Sequence, residues 1–303
     1  MNFSTQRTAT LIGSLSIFMW GLLALLTTLV EAVPPFLLLA LSFGIATASI
    51  SVKWIIRREN IKLHLQQPLG AWLLSTTGLF GYHYFYFMAL RHAPPVEASL
   101  IAYMWPVLIV LFSASFPEEK LRWNCLAGAL LGLGGVVLLI TDGKGIVELR
   151  TENILGYIMA VCCALTWSLY SVFNKCFRNV PTDTVGGFCA VVSVLAWIAH
   201  VLFENTVWPA TIGEWLAIVG LGTLPIGLAF FTWDYGTKHG DIQALGVLSY
   251  IAPLLSTLLL IVFEKGEATF IVGGATLLIS GGAVLAAHKT LFKAARSGPN
   301  GNK

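Results

Sequence analysis

Two tryptophans, two tyrosines, two prolines and two Gly-Gly pairs recur in this 303-residue chain at one constant spacing of 147. Trp20 matches Trp167, Tyr103 matches Tyr250 and Pro106 matches Pro253. Gly134-Gly135 matches Gly281-Gly282, with no gap anywhere between the first match and the last. The chain therefore reads as two copies of one unit, and any fold it adopts must place that unit twice.

The copies lie in a very apolar sequence. Hydrophobic residues make up 56% and charged residues 11%, where a soluble domain carries about 25% charge. A mean hydropathy of +0.79 points the same way. Too few polar residues are present to cover a water-soluble globule, so the expected solvent is a lipid bilayer. Crossing ~30 Å of hydrocarbon takes about 20 helical residues. Segments of that size fall near 9–30, 36–56, 70–90, 97–116, 123–141, 155–174, 185–203, 214–236, 242–263 and 269–288. Turn and charge signals such as Pro34-Pro35, Pro94-Pro95 and Lys238 to Asp241 separate them. The first run follows Arg7 and has no small-residue cleavage signal before Glu31, so it reads as a retained membrane helix rather than a secretory leader.

Ten spans place both termini on one side, and the distribution of basic residues identifies it. With the termini inside, fourteen of the 18 Lys and Arg residues are cytoplasmic, leaving Arg91, Lys144, Arg150 and Lys265 outside. Five spans per unit return the chain to the opposite face. The second copy then runs inverted, and a pseudo-two-fold axis lies in the membrane plane. The expected division is 1–147 and 148–289 for the two repeats, with a basic cytoplasmic tail at 290–303. Duplicated units meeting at a midplane site are the usual build of a secondary transporter.

Three groups of residues within the spans are candidates for function. Tyr103-Met104-Trp105-Pro106 in the fourth segment and Tyr250-Ile251-Ala252-Pro253 in the ninth each carry a proline that frees the carbonyl four residues earlier. The plain reading is a kink; the functional one is a polar spot beside a phenol. The second group is aromatic: Trp20, Tyr82, Tyr86, Trp167, Tyr170 and Trp233. Trp20 and Trp167 lie near segment centres, where interfacial belts do not explain them, whereas Trp54, Trp72, Trp123, Trp208 and Trp215 lie at segment ends and fit a belt. Rings around a cavity offer stacking faces; packing inside the bundle is the alternative. The third group is ionisable. His83 is the residue of this type nearest a span centre, open to proton coupling or to neutral hydrogen bonding. It is turned about 100° from the shared face of Tyr82 and Tyr86. Asp234 and Lys238, four apart, form an expected ion pair. Glu97, His200 and His288 lie at span ends, within reach of water.

The remaining signals are structural or exclusionary. Gly128-x-x-x-Gly132 has the small-residue spacing that lets helix backbones approach, which places the fifth and tenth segments together. Five cysteines without ligand or disulfide spacing read as small apolar residues. No P-loop, paired catalytic carboxylates, metal-spaced His/Cys set or nucleophile elbow occurs, so neither cofactor nor metal is expected and the chain does not read as an enzyme.

With these residues in view, the chain resembles the drug/metabolite transporter superfamily in its EamA-like branch. The likeness spans residues 8–288. Tyr103-Met104-Trp105-Pro106 and the run Trp167-Ser168-Leu169-Tyr170-Ser171-Val172-Phe173-Asn174-Lys175 are similar to the YddG-type aromatic amino acid exporters. The resemblance implies an all-α membrane fold of two inverted five-helix repeats and an inner-membrane exporter. It also implies a central cavity lined at Trp20, Tyr82, His83, Tyr86, Tyr103, Trp105, Pro106 and Trp167, with Trp233, Tyr250 and Pro253 added through the repeat; Tyr170 of the aromatic group is a further candidate. Ala252 stands where the first copy has Trp105, so the two sides of the site are expected to differ.

The function expected is export of aromatic and hydrophobic amino acids by alternating access. Its partners are then a small-molecule substrate and lipid, not nucleic acid, and one chain supplies both halves. A sugar-phosphate or nucleotide-sugar antiporter would need Lys or Arg facing the cavity, where only Lys175 comes near. A cationic-drug exporter is the other reading, since aromatic cages also bind cations; the lack of a mid-membrane carboxylate counts against it. A receptor would need a soluble effector domain that these loops cannot hold.

Overall fold

The computed structural model describes residues 3–117, 119–144 and 150–292, and the regular elements among them are all helical. In hydrocarbon every backbone donor and acceptor must be paired within the chain, which a helix does locally. Ten helical rods follow the ten apolar segments: α1 (3–27), α2 (35–56), α3 (69–92), α4 (95–113), α5 (123–141), α6 (151–177), α7 (182–203), α8 (212–239), α9 (242–262) and α10 (270–292). Eight are long and apolar enough to cross a membrane. The apolar part of α10, Phe270–Ala286, is shorter, and α3 carries Tyr82, His83, Tyr84, Tyr86 and Arg91. The expected basic tail lies, from residue 293 on, outside the described residues.

Rod starts have local causes. Pro35 and Pro95 stand in the first helical turn, where a missing N–H is harmless. Thr211 and Glu214 close a capping box on α8. The Glu204 carboxylate accepts from the amides of Phe36 and Leu37 at 3.0 and 3.2 Å, capping α2 from the end of α7.

Packing obeys the duplication. The rods pair α2 with α7, α4 with α9 and α5 with α10, each a rod against its own copy. They also pair α1 with α8 and α3 with α6, two contacts that interconvert when each rod is exchanged for its copy. A pseudo-two-fold arrangement gives this pattern. Gly13 lies against Gly236 in the α1–α8 crossing, where an added Cβ would meet backbone at 2.9 Å. Displaced by 147, the same positions are Ala160 and Ala89, buried together in the α3–α6 crossing.

Several local expectations are revised. Trp54 is no belt residue: it is buried, with its ring stacked on His64 at 5.1 Å. Trp123, Trp208 and Trp215 are exposed as a belt requires. Glu97 and His200 are buried rather than wet. Tyr157 donates to Glu97, and His200 bridges Glu204 and Thr206 at 2.9 Å each. Cys125, Cys163 and Cys189 are buried, but Cys176 is exposed. The side chain of His288 lies outside the described residues.

The α5–α10 seam is testable. A Cβ on Gly128 would lie 2.6 Å from the Gly282 carbonyl oxygen, whereas one on Gly281 meets nothing within 4 Å. Gly128→Ala should destabilise by about 1–3 kcal/mol through overpacking. Gly281→Ala should be neutral or better, since alanine is the stronger helix former. Equal melting temperatures of the two variants in detergent would contradict the seam.

Candidate functional site

Four rods lose their regular helix near mid-membrane, at positions that match between repeats. α4 breaks at Tyr103 and Met104, ahead of Pro106, and α9 breaks at Ser249 and Tyr250, ahead of Pro253. Each proline lacks the N–H that would have continued the ladder. In α3 and α8 the helix widens into single π-turns, at Thr77–Gly81 and Leu224–Leu228. These turns are also 147 apart, and such turns concentrate at functional sites. Gly78 and Pro225 occupy equivalent places in them, one a weak helix former and the other unable to donate.

Between these four breaks the tryptophans converge. Trp20 of α1, Trp105 of α4, Trp167 of α6 and Trp233 of α8 form a cluster in which all six pairs are in ring contact. Trp20 lies 5.1 Å from Trp233, 5.7 Å from Trp167 and 6.4 Å from Trp105. Trp105 is 6.2 Å from both Trp167 and Trp233, which are themselves 6.1 Å apart. Most of these contacts are tilted or edge-on, the geometry the ring quadrupoles favour. Trp20 Nε1 donates to the Pro225 carbonyl at 3.1 Å and Trp233 Nε1 to Ser171 Oγ at 3.1 Å. Trp167 Nε1 is buried with no partner among the described residues.

Above this cluster lies a cavity of about 460 Å³, within the range of small-molecule sites. It runs from the tryptophans toward Thr27, Pro35 and Leu260, at rod ends on the face opposite the termini. Trp20, Tyr82, His83, Tyr86, Tyr103, Trp105, Trp167 and Pro253 all line it. Tyr82 and His83 thus share the wall despite pointing apart on their helix. The Tyr82 and Tyr86 rings are parallel at 6.3 Å. His83 Nδ1 bonds the Leu79 carbonyl at 2.7 Å; a carbonyl only accepts, so Nδ1 carries the proton and the neutral ring keeps Nε2 as an acceptor. Apart from His83, no lining side chain is ionisable at neutral pH.

Four residues expected on the wall stand behind it. Tyr250 is fully buried, packs on Gly132 and donates to the carbonyl of Tyr103, its own repeat mate, at 3.1 Å. Trp233 supports the cluster from below, held by Ser171. Tyr170 is fully buried against Gly78 and Trp167. Pro106 is buried in α4, where its carbonyl faces Gly246 of α9. Sequence reasoning missed Ser42, Pro225 and Phe230 on the wall; Phe230 is the repeat mate of His83, and the duplication could have revealed it.

Toward the termini the cluster is backed by a dense polar network. Lys238 Nζ reaches Asp234 at 2.9 Å, as the spacing of four predicts, and also the Val180 carbonyl at 3.1 Å. Asn174 and Thr182 donate to the same carboxylate at 3.0 and 2.7 Å. Arg122 pairs with Asp241, whose amide donates to Thr10 Oγ1 at 2.8 Å. Lys175 is no cavity residue: it pairs with Glu119 on the terminal side. The cavity is therefore closed toward the termini by tryptophans and then by ion pairs.

The EamA-like transporter family model matches the chain twice, at residues 7–141 and 154–287. The chain belongs to that family. This EamA-like transporter is 49% identical over 282 residues to the aromatic amino acid exporter YddG of Ancylobacter novellus, covering 93% of this chain and 98% of that one. It is 27% identical to the aromatic amino acid exporter YddG of Escherichia coli K12, covering 93% and 97%. A solved crystal structure at 47% identity superimposes with a TM-score of 0.88, over 94% of this chain and 99% of the other. The chain is a multi-pass membrane protein of a transporter family.

The buried pair of the EamA-like transporter gives a stability test. Asp234 and Lys238 are both fully buried, so Asp234→Ala strands an ammonium and should cost about 3–5 kcal/mol. Asp234→Leu combined with Lys238→Met should recover most of that loss. Thermal unfolding in detergent reads both, and a double variant no better than the single would contradict the pairing.

Proposed function

We propose that this protein exports aromatic and other hydrophobic amino acids across the bacterial inner membrane, by alternating access between its two repeats. The observation that carries this reading is the cavity: a wall of aromatic rings without fixed charge, ending on four tryptophans. Rings hold an aromatic side chain through offset and edge contacts. The His83 Nε2 acceptor and the aromatic faces suit an ammonium, and a zwitterion carries its own compensating charge. The 49% identity to a protein named as an aromatic amino acid exporter supports the same substrate class. The wall offers neither Lys nor Arg to a phosphate, nor a carboxylate to a cationic drug.

The bias of basic residues supports cytoplasmic termini, which makes the described state outward-open. The two family matches support repeats divided near residues 147 and 148. A single chain forms the whole cavity, which supports a monomer as the working unit.

Labelled tryptophan and phenylalanine should enter liposomes containing the purified protein with saturable kinetics. Trp167→Ala should lower the flux about tenfold, the equivalent of ~1.5 kcal/mol of ring contact. Absence of flux in folded protein would overturn the amino acid reading.

A further inference from the structure

Hydroxyls inside membrane helices ordinarily donate back to a carbonyl about one turn earlier. The cavity wall follows this habit at Thr27, Ser249 and Thr257, which donate to the carbonyls of Leu23, Leu245 and Pro253 at 2.7–3.0 Å. Ser256 donates across to the Gly21 carbonyl at 2.8 Å. Ser42 of α2 does not. Its Oγ is buried on the same wall with no partner among the described residues.

Trp167 Nε1 is the second buried donor of that wall without a partner, and the duplication shows why it is open. Its copy Trp20 donates to the Pro225 carbonyl. The residue equivalent to Pro225 is Gly78, whose carbonyl instead accepts from the Tyr82 amide. Phe43, next to Ser42, stacks on Phe230 at 5.5 Å, and Phe230 meets Trp167 at 5.9 Å. Ser42 and Trp167 both line the same cavity.

Buried donors are almost always satisfied, so two left open in a binding cavity call for an acceptor from the ligand. An indole N–H can only donate, and a serine hydroxyl donates readily. We propose that Ser42 Oγ and Trp167 Nε1 receive the carboxylate of the substrate, and that Ser42 is the residue by which the transporter distinguishes an amino acid from the corresponding amine. This rests on the amino acid reading of the cavity. Dipoles rather than a fixed cation then hold the carboxylate, so the ammonium of a zwitterion is not repelled.

The test is uptake of labelled phenylalanine into proteoliposomes, with unlabelled phenylalanine, phenethylamine and 3-phenylpropionate as competitors. Ser42→Ala should raise the KM for phenylalanine about tenfold, as loss of a bond to a charged group does. Inhibition by phenethylamine, which lacks the carboxylate, should not change. Ser42→Thr keeps the hydroxyl and should restore most of the affinity; Trp167→Phe keeps a ring, loses the N–H and should act in the same direction as Ser42→Ala. Matching melting temperatures establish that the variants fold. If Ser42→Ala weakens phenylalanine and phenethylamine equally, or neither, the donor assignment falls while amino acid transport stands. If the wild-type protein moves no phenylalanine, both readings fall.

Discussion

Inside a bilayer an unpaired amide or carbonyl has no water to turn to. A membrane helix can therefore be irregular only where the chain supplies replacement partners or where a cavity admits them. Here four irregularities fall at matched places, the π-turns of α3 and α8 and the proline breaks of α4 and α9; a break at Leu22 of α1 has no counterpart in α6. Replacement partners are visible at two of them. The Trp20 indole takes the Pro225 carbonyl, and the Tyr250 hydroxyl takes that of Tyr103. The cavity occupies the space that these four departures surround, so site and backbone constraint share one origin.

The duplication sets the framework, and the site lies where the duplication is broken. Tyr103 faces the cavity while Tyr250 is buried behind it; Trp105 has Ala252 as its copy; Tyr86 on the wall corresponds to Trp233 beneath it. An inverted repeat with identical halves would be equally open to both sides. These substitutions, with the ion pairs around Asp234 and Asp241, favour closure toward the termini. Such pairs give up hydration to form and gain from the low dielectric only when every partner is in place. Asp234 has three donors, which meets that condition.

Ten helical rods, the pairing of α5 with α10, the Asp234–Lys238 contact and eight wall residues were legible in the sequence, because each leaves a residue-type or spacing signal. What was not legible has a physical reason. A π-turn is one extra residue in a ladder and leaves no periodic trace; Tyr82 and His83 were expected on different surfaces, and the sequence does not show that the cavity is wide enough to meet both faces of α3. Ser42 sits among apolar neighbours with nothing local to mark it. Tyr250 carries the same Tyr-x-x-Pro pattern as Tyr103, yet Gly132 opens a slot that draws its ring out of the cavity. Trp54 lies at a segment end like a belt residue, but His64 returns from the short helix Ile61–Leu65 to stack on it.

The tryptophan cluster takes two members from each repeat, Trp20 and Trp105 from the first, Trp167 and Trp233 from the second. During biosynthesis the first five rods enter the membrane with half of the cluster and no opposing wall. Until residue 233 has been inserted, the nascent chain has no floor for its cavity and no partner for α1. The order of assembly is thereby constrained: the earliest rod waits for the eighth.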